Sequence, residues 1–215
     1  MKNRIAEIDY LGAQPKLKEQ DMFDLNRWAV AALFAAGLIT FGSMNEAEAG
    51  DTYTIDPGHS SVTFKVKHFG IGYTHGRFRK LTGQMVVDKK ASKSSVKINI
   101  EAASVYTNDK KRDKHLKSPD FFNVKQFPTV SFVSSKVAKA GKGYKVTGKL
   151  TLHGVTKTVT VKMKKVGEGK DPYGKFRIGF EGSLSIKRSA YNMKKMIGPA
   201  GDKISLTIAI EGIKG

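Results

Sequence analysis

The side chains that could do chemistry in this sequence are few, because the 215-residue chain contains no cysteine. Thiolate nucleophiles, disulfides, iron–sulfur ligation and cysteine zinc sites are therefore excluded. Ser60 directly follows His59, but neighbouring side chains on a strand point to opposite faces, so the two are badly placed as nucleophile and base. The motifs HExxH and GxSxG and a phosphate-binding glycine loop are also missing. We predict a protein that is not an enzyme and needs no metal or cofactor, and keep a histidine-dependent enzyme as the lesser alternative.

Histidine is the main polar candidate that remains, with five in the chain. We expect His59 either to touch a ligand or to make a structural hydrogen bond. His68 lies on the predicted inward face of its strand, where a buried imidazole with a core partner is favoured over a ligand contact. These two and His75 form a zinc site only if the fold brings them together. His153, followed by Gly154, is predicted in a hairpin turn.

A second polar group lies in the segment NDKKRDKHLKS, residues 108–118. A capping residue at its start, helix-forming residues inside it and Pro119 just beyond it predict one short helix. Arg112 and His115 are three residues apart and so share a face of this helix. Donors there could meet a ligand oxygen at a cavity mouth. The alternative is that they clamp the helix onto the fold, with Asp113 as a local partner.

The elements that must position these side chains are strands, since apolar and polar residues alternate along most of the chain after residue 50. A typical segment is SVTFKVKHF, residues 61–69, and at least seven more follow it. Short polar turns, such as 139–143 and 167–174, separate most of them. The pattern predicts an all-β domain: a single antiparallel barrel of eight or slightly more strands with one short helix, or a sandwich.

A closed barrel of this size either fills its interior with side chains or holds one small ligand. Gly148 and Gly182 fall beside large residues at inward positions, which suits a cavity and close packing equally well. Phe121 and Phe122 are expected to plug one barrel end or to line the cavity. The predicted apolar wall consists of Val62, Phe64, Val66, Phe121, Phe122, Phe132, Met163, Phe176, Phe180, Tyr191 and Met193.

The N-terminal part of the chain has a different character. An apolar run, WAVAALFAAGLITF, covers residues 28–41 and precedes the small-x-small triplet that ends at Ala49. This is typical of a secretory signal, whereas a membrane span needs roughly 20 apolar residues. We predict an N-terminal extension and signal peptide over residues 1–49, cleavage after Ala49, a domain over residues 50–215, and export to the periplasm or the extracellular space. An uncleaved anchor is the alternative, and the true translation start stays open.

Residues 50–215 are strongly basic, with 33 Lys and Arg against 12 Asp and Glu, a net charge of +21. Such a field attracts nucleic acid, anionic lipid and acidic polymers without specificity. Export argues against nucleic acid as a partner, and 28 of the 33 cations are lysines, which lack the planar fork of arginine. The alternative function is therefore a basic envelope protein that binds anionic membrane surfaces through its lysines.

Four segments, in order and at matching spacing, resemble the YceI-like family: DPGHSSVTFKVKHFG from Asp56, GRFRKLTG from Gly76, RDKHLKSPDFFNVKQFPTVSF from Arg112 and YKVTGKLTLHGVTKTV from Tyr144. The resemblance spans about residues 51–212. It implies a lipocalin-like barrel whose apolar interior binds long isoprenoid lipids, either polyprenyl phosphates or isoprenoid quinones, in an exported protein that carries or stores them. It leaves open which lipid is bound and whether the chain forms a homodimer.

One segment, Arg188–Met193, departs from the family pattern. Relatives have an acidic residue and a glycine where this chain has Ala190 and Asn192. Asn tolerates the left-handed backbone region, so the turn is expected to survive. The missing acid leaves Arg188 without its expected counterion, so it either contacts an anionic ligand or faces water. The candidate head-group residues are thus His59, His68, Arg112, His115 and Arg188.

Overall fold

Strands form along the alternating part of the sequence, as a computed structural model that describes residues 50–215 shows. The signal peptide, its cleavage site and the N-terminal extension lie outside the described residues. The elements are β1 (Asp51–Ile55), β2 (Ser61–His68), β3 (Gly72–Phe78), β4 (Leu81–Val87), β5 (Ser95–Glu101), β6 (Val105–Tyr106), α1 (Lys110–Lys117), β7 (Thr129–Ala140), β8 (Gly143–Leu152), β9 (Val155–Lys170), β10 (Phe176–Lys187) and β11 (Ala200–Lys214).

Eight of these strands close into a ring in the order β1-β4-β5-β7-β8-β9-β10-β11, with β11 pairing back to β1. All pairs are antiparallel. One edge of β11 pairs with β10 along its length, and the other pairs first with β2 and then with β1. Strands β2, β3 and β6 extend the sheet from β11. The predicted barrel of eight or slightly more strands with one short helix is confirmed.

One of the predicted hairpin turns is confirmed, and another begins later than predicted. His153 and Gly154 both have positive φ, 51° and 73°, which suits a tight turn between twisted strands and confirms the predicted hairpin. The predicted turn over residues 167–174 is wrong at its start, because β9 runs to Lys170. A register shift at Gly179 and Phe180 adds one residue to β9, and this bulge hides the alternation.

Helix α1 is held against β6 by one carboxylate. Asp113 Oδ1 accepts hydrogen bonds from the backbone N–H of Thr107 (2.8 Å) and from its hydroxyl (2.6 Å). The helix begins after Asp109, whose side chain caps the N–H of Arg112 at 2.9 Å. Its eight residues lie within the predicted segment. Among residues 50–215, no helix has both the length and the apolar character needed to cross a membrane.

A cluster of charged side chains ties three parts of the chain together around Arg177 on β10. Its Nη1 donates to Asp56, before β2, and to Glu211, on β11, each at 2.7 Å. Its Nε donates to Asp171, in the β9–β10 turn, at 2.6 Å. These hydrogen bonds hold the pKa of Asp56 and of Asp171 below their usual range. The cluster therefore stabilises this end of the barrel when the carboxylates are ionised.

Replacing this guanidinium in an Arg177→Met variant should lower the melting temperature at about pH 7. A lowered pKa in the folded state gives stability that is present above the unfolded pKa of about 4 and is lost as the pH falls below it. The difference in melting temperature between the variant and wild type should therefore become smaller below about pH 4. Thermal unfolding by circular dichroism at several pH values measures this.

The matched control is Arg77→Met, since Arg77 is an exposed arginine on β3 that lies 5.8 Å over the ring of Tyr106. It should change the melting temperature little and with no such pH dependence. Equal losses in the two variants, or a gap that stays constant with pH, would contradict the interpretation.

Candidate functional site

The interior of the barrel contains a cavity of about 390 Å³. Known ligand pockets are commonly about 300–1,000 Å³. Side chains from both the ring strands and the β2–β3 extension line it. Its wall is almost entirely apolar and includes Val62, Phe64, Phe78, Val96, Ile98, Ile100, Val130, Phe132, Val146, Leu150, Met163, Phe180, Leu184, Ile186, Leu206, Ile208 and Ile210.

Glycines keep the large side chains close to the wall. A Cβ at Gly148 would lie 2.7 Å from Cζ of Phe132, and Cβ atoms at Gly76 and Gly182 would collide with Phe64 and with Met163. The end of each of these side chains therefore lies over a glycine of a neighbouring strand. The glycines do not leave empty space at the wall; they accept a ring or thioether there, which keeps the barrel axis open.

Most of the predicted wall residues line this cavity. Those that do are Val62, Phe64, Val66, Phe121, Phe122, Phe132, Met163, Phe180 and Met193. Sequence reasoning left out Leu184, Ile186, Leu206 and Ile208, although the same alternation places them on the inward face.

Two predicted wall residues, Phe176 and Tyr191, lie outside the cavity. The cavity ends at Phe180, and the next inward residue of β10, Ile178, is only 1% exposed and closes the barrel before Phe176 is reached. Tyr191 belongs to a 3-10 turn, which breaks the strand alternation, and its carbonyl accepts a hydrogen bond from Nδ1 of His153 at 3.1 Å. Burial raises the pKa of the Tyr191 phenol.

Polar residues line the cavity in two main places: Asp88, Ser94 and Ser95 at the β4–β5 connection, and a larger group at the end where β2 meets β3, here called the mouth. Lys67, His68 and Thr74 line this mouth from the hairpin, and Arg112 and His115 line it from α1. His68 has the predicted inward position, but it is exposed and its ring lies 4.3 Å from that of Phe69. The prediction of a buried histidine with a core partner is therefore wrong, because β2 ends at the mouth and not in the core.

The two predicted helix residues both combine a structural contact with a place at the mouth. Arg112 donates from Nε to the Thr107 hydroxyl (2.7 Å) and from Nη2 to the Thr107 carbonyl (2.6 Å), which is the clamp expected as the alternative. Asp113 pairs with Thr107 as well, and not with Arg112. His115 donates from Nε2 to Asp120 at 2.9 Å, and this hydrogen bond lowers the pKa of Asp120. Two of the five N–H groups of Arg112 are thus used by Thr107.

Arg188 does not face water, as one of the two expectations had it, but is 4% exposed. Its guanidinium donates to four backbone carbonyls, those of Met193, Lys195, Ala200 and Gly201, at 2.7–3.0 Å. Desolvation lowers its pKa.

The segment around Arg188 supplies an acid from another position. Asp202 accepts hydrogen bonds from the N–H and the hydroxyl of Ser189, both at 2.8 Å, and these lower its pKa. Asn192 takes the left-handed conformation, with φ 63°, as expected of the turn. Arg188 thus lines the cavity and also fixes the backbone of residues 193–201. The sequence did not indicate this second role, because only an acidic partner was expected for Arg188.

His59 lies at the opposite end of β2 from His68 and outside the cavity. Its Nδ1 donates to Asp56 at 2.8 Å, which is the structural hydrogen bond that was one of its two expected roles. Ligand atoms of Asp56, His59 and Glu211 lie within 4.8 Å of one another, but Arg177 already donates to both carboxylates. The guanidinium therefore takes the place that a metal ion would need.

The family model described as YceI-like domain matches residues 53–212. A UPF0312 protein of Pseudomonas aeruginosa strain LESB58 is 42% identical over 187 residues, which cover 86% of this chain and 93% of the relative. A UPF0312 protein of Shewanella denitrificans is 40% identical over 194 residues, covering 88% of this chain and all of the relative.

Solved structures give the same fold. The crystal structure of BcnA from Burkholderia cenocepacia has a TM-score of 0.67 and 32% identity, and the match covers 73% of this chain and 98% of that one. A polyisoprenoid binding domain from Saccharophagus degradans has a TM-score of 0.58 at 16% identity, covering 76% and 98%, and shows the likeness of the fold alone. The family model, the two relatives and the closed barrel together confirm the resemblance, and the chain belongs to the YceI-like domain family.

Proposed function

We propose that this barrel binds a long isoprenoid lipid in its cavity, without catalysis, and carries or stores it. The observation that supports this is the apolar cavity of about 390 Å³, with lysine, arginine and histidine side chains at the mouth where β2 meets β3. Burying about 500 Å² of an apolar tail contributes roughly 12 kcal/mol at about 25 cal/mol per Å². Association and ordering costs of about 4–15 kcal/mol offset much of this. Useful affinity is thus within reach of burial alone.

The head group of the lipid would remain at the mouth. Lys67 and Arg112 bring positive charge there, and His68 and His115 bring imidazoles. Arg112 keeps three N–H donors beyond the two that it gives to Thr107, which suits a phosphate or a quinone oxygen. The isoprenoid class itself comes from the family resemblance. Under this proposal the ligand is a polyprenyl phosphate or an isoprenoid quinone.

The proposal includes export. The signal-like segment over residues 28–41 supports delivery to the periplasm or the extracellular space, with the mature chain starting at Gly50. An aqueous compartment is where a water-insoluble lipid needs a carrier, because its tail cannot cross water freely.

Solvent extracts of the mature protein, residues 50–215, purified without detergent should contain an isoprenoid lipid detectable by mass spectrometry. The expected stoichiometry approaches one lipid per chain, because the second pocket among the described residues, about 350 Å³ at residues 57–61 and 77–79, has a mainly polar lining. Extracts without lipid, together with failure to take up added polyprenyl phosphate or isoprenoid quinone, would overturn the proposal.

A carboxylate placed in the cavity wall should remove lipid binding. Phe64→Asp or Phe180→Asp puts a charge among apolar side chains, and the amount of bound lipid should fall by about tenfold or more. Leu206→Trp fills the same space without charge and should reduce binding in a protein that melts normally. Thr63→Asp, one residue from Phe64 on the opposite face of β2, is the matched control and should bind lipid as wild type does. Unchanged binding in Leu206→Trp would place the lipid elsewhere.

Salt separates this proposal from the alternative of lysines binding anionic surfaces. A tail held inside the barrel should remain bound as the ionic strength rises from about 0.05 to 1 M, whereas contacts between exposed charges weaken. Retention of preloaded lipid across this range, measured after gel filtration, is expected. Loss of the lipid in step with salt, or its loss in an exposed double variant such as Lys145→Glu with Lys162→Glu, would favour the surface alternative.

A further inference from the structure

Exposed apolar side chains are concentrated beside the mouth of the cavity. Eight large apolar residues are exposed among residues 50–215, and five of them lie in two neighbouring segments. Of these five, Ile71 is 91% exposed, and the other four are about half exposed. We call these five residues the apolar rim: Phe69, Ile71, Tyr73, Met196 and Ile197. Clustering of this kind marks an interaction surface, whereas single exposed apolar residues do not.

Backbone hydrogen bonds hold the two halves of the apolar rim together. The N–H of Phe69, at the β2–β3 hairpin tip, donates to the carbonyl of Pro199 at 2.8 Å. His68 pairs with Ala200 in the sheet next to this contact. His68, Met196 and Ala200 all line the cavity. The rim is therefore a fixed surface at the cavity opening and not two independent loops.

Two rim residues have a backbone conformation that disfavours them. Phe69 and Met196 have φ of 49° and 55°, in the left-handed region that suits glycine or asparagine. A bulky side chain in this region costs conformational energy. Residues with such strained backbone conformations are concentrated at functional sites. Phe69 gains little burial within the fold in return, since it is 59% exposed.

Positive charge surrounds the apolar rim. Lys65 and Lys67 precede the hairpin tip, and Lys194, Lys195 and Lys203 flank the other segment; all five are exposed. Within residues 65–75 and 187–203, the only carboxylate is that of Asp202, which accepts two hydrogen bonds from Ser189. Apolar side chains ringed by lysines fit the boundary between acyl chains and anionic head groups of a bilayer.

We propose that the apolar rim docks onto the surface of an anionic bilayer, with Phe69, Ile71 and Ile197 in the interface and the lysines on lipid phosphates. The docked mouth opens onto the membrane, so a lipid passes between bilayer and cavity without crossing water. This last step rests on the proposed function, whereas docking itself does not. A second copy of the chain is the poorer occupant, because an isologous contact would bring the same lysines together from both sides.

Vesicle flotation tests the docking with the mature protein. Vesicles of phosphatidylcholine with about one third phosphatidylglycerol should bind wild type, and vesicles of phosphatidylcholine alone should bind it much less. The double variant Ile71→Ser with Ile197→Ser should bind anionic vesicles at least about tenfold more weakly, since two apolar side chains no longer leave water. Lys194→Glu with Lys195→Glu should lower binding by a similar factor.

The matched control is Val166→Ser with Tyr173→Ser. These two residues are 72% and 88% exposed, within the range of Ile71 (91%) and Ile197 (46%), but they lie near the β9–β10 turn. This variant should bind vesicles as wild type does. Equal losses in the control and the rim variant, or no preference of wild type for anionic vesicles, would overturn the proposal. A wild-type dimer that the rim variant converts to a monomer, seen by light scattering, would also overturn it and assign the rim to self-association.

A second readout locates the contact. Because the chain has no cysteine, Ile71→Cys accepts a single environment-sensitive label. Its emission should shift to shorter wavelength when anionic vesicles are added, and a label at Tyr173→Cys should not respond. Identical responses from the two labels would contradict docking through the rim.

The two proposals fail separately. The double variant Ile71→Ser with Ile197→Ser should retain lipid that was loaded in solution, because neither residue lines the cavity. Leu206→Trp should bind anionic vesicles although its filled cavity binds less lipid. Vesicle binding without lipid binding in wild type would sink the lipid proposal alone, and the reverse result would sink docking alone.

Discussion

Closure of the sheet through β11 is the constraint on which the other features depend. This strand gives one edge to β10 and divides the other between β2 and β1, so the ring strands next to it all find hydrogen-bond partners. Closing eight strands fixes the diameter of the barrel, and side chains from opposite walls then meet or leave a gap at the axis. Here the rings of Phe64 and Phe132 lie over Gly76 and Gly148, so a gap remains.

A second arrangement shapes the mouth, in which polar groups of the protein satisfy one another's hydrogen bonds. Arg188 binds four carbonyls within residues 193–201, and Arg112 binds the hydroxyl and the carbonyl of Thr107. Leaving buried carbonyls unsatisfied would cost about 1–3 kcal/mol each, so these two guanidiniums fix the backbone around the opening. The opening is therefore preformed, and the exposed side chains of the rim are carried on rigid segments.

Much of this fold could be predicted from the sequence, because alternation with a period of two reports which side chains face inward. The barrel, the hairpin at His153 and most of the cavity wall follow from it. The bulge near Gly179 could not be predicted, since one extra residue shifts the pattern without changing composition. The burial of Arg188 could not be predicted either, because its partners are backbone carbonyls, which a side-chain pattern does not reveal. Alternation also does not distinguish a hollow barrel from a filled one. Whether a cavity remains depends on contacts between strands, such as the aromatic rings that lie over glycines.

The pairing of β1 with β11 also sets the order of events during biosynthesis. Tyr53 lies opposite Lys214, and the N–H of Gly215 donates to the carbonyl of Thr52 at 3.1 Å, so the first and last described strands are neighbours. Hairpins such as β7–β8 can assemble while the chain is still emerging, but the ring cannot. Until β11 is released, the inner face is an open apolar sheet that is prone to aggregate and in need of a chaperone. An enclosed interior thus exists only once β11 has emerged and both of its edges have paired.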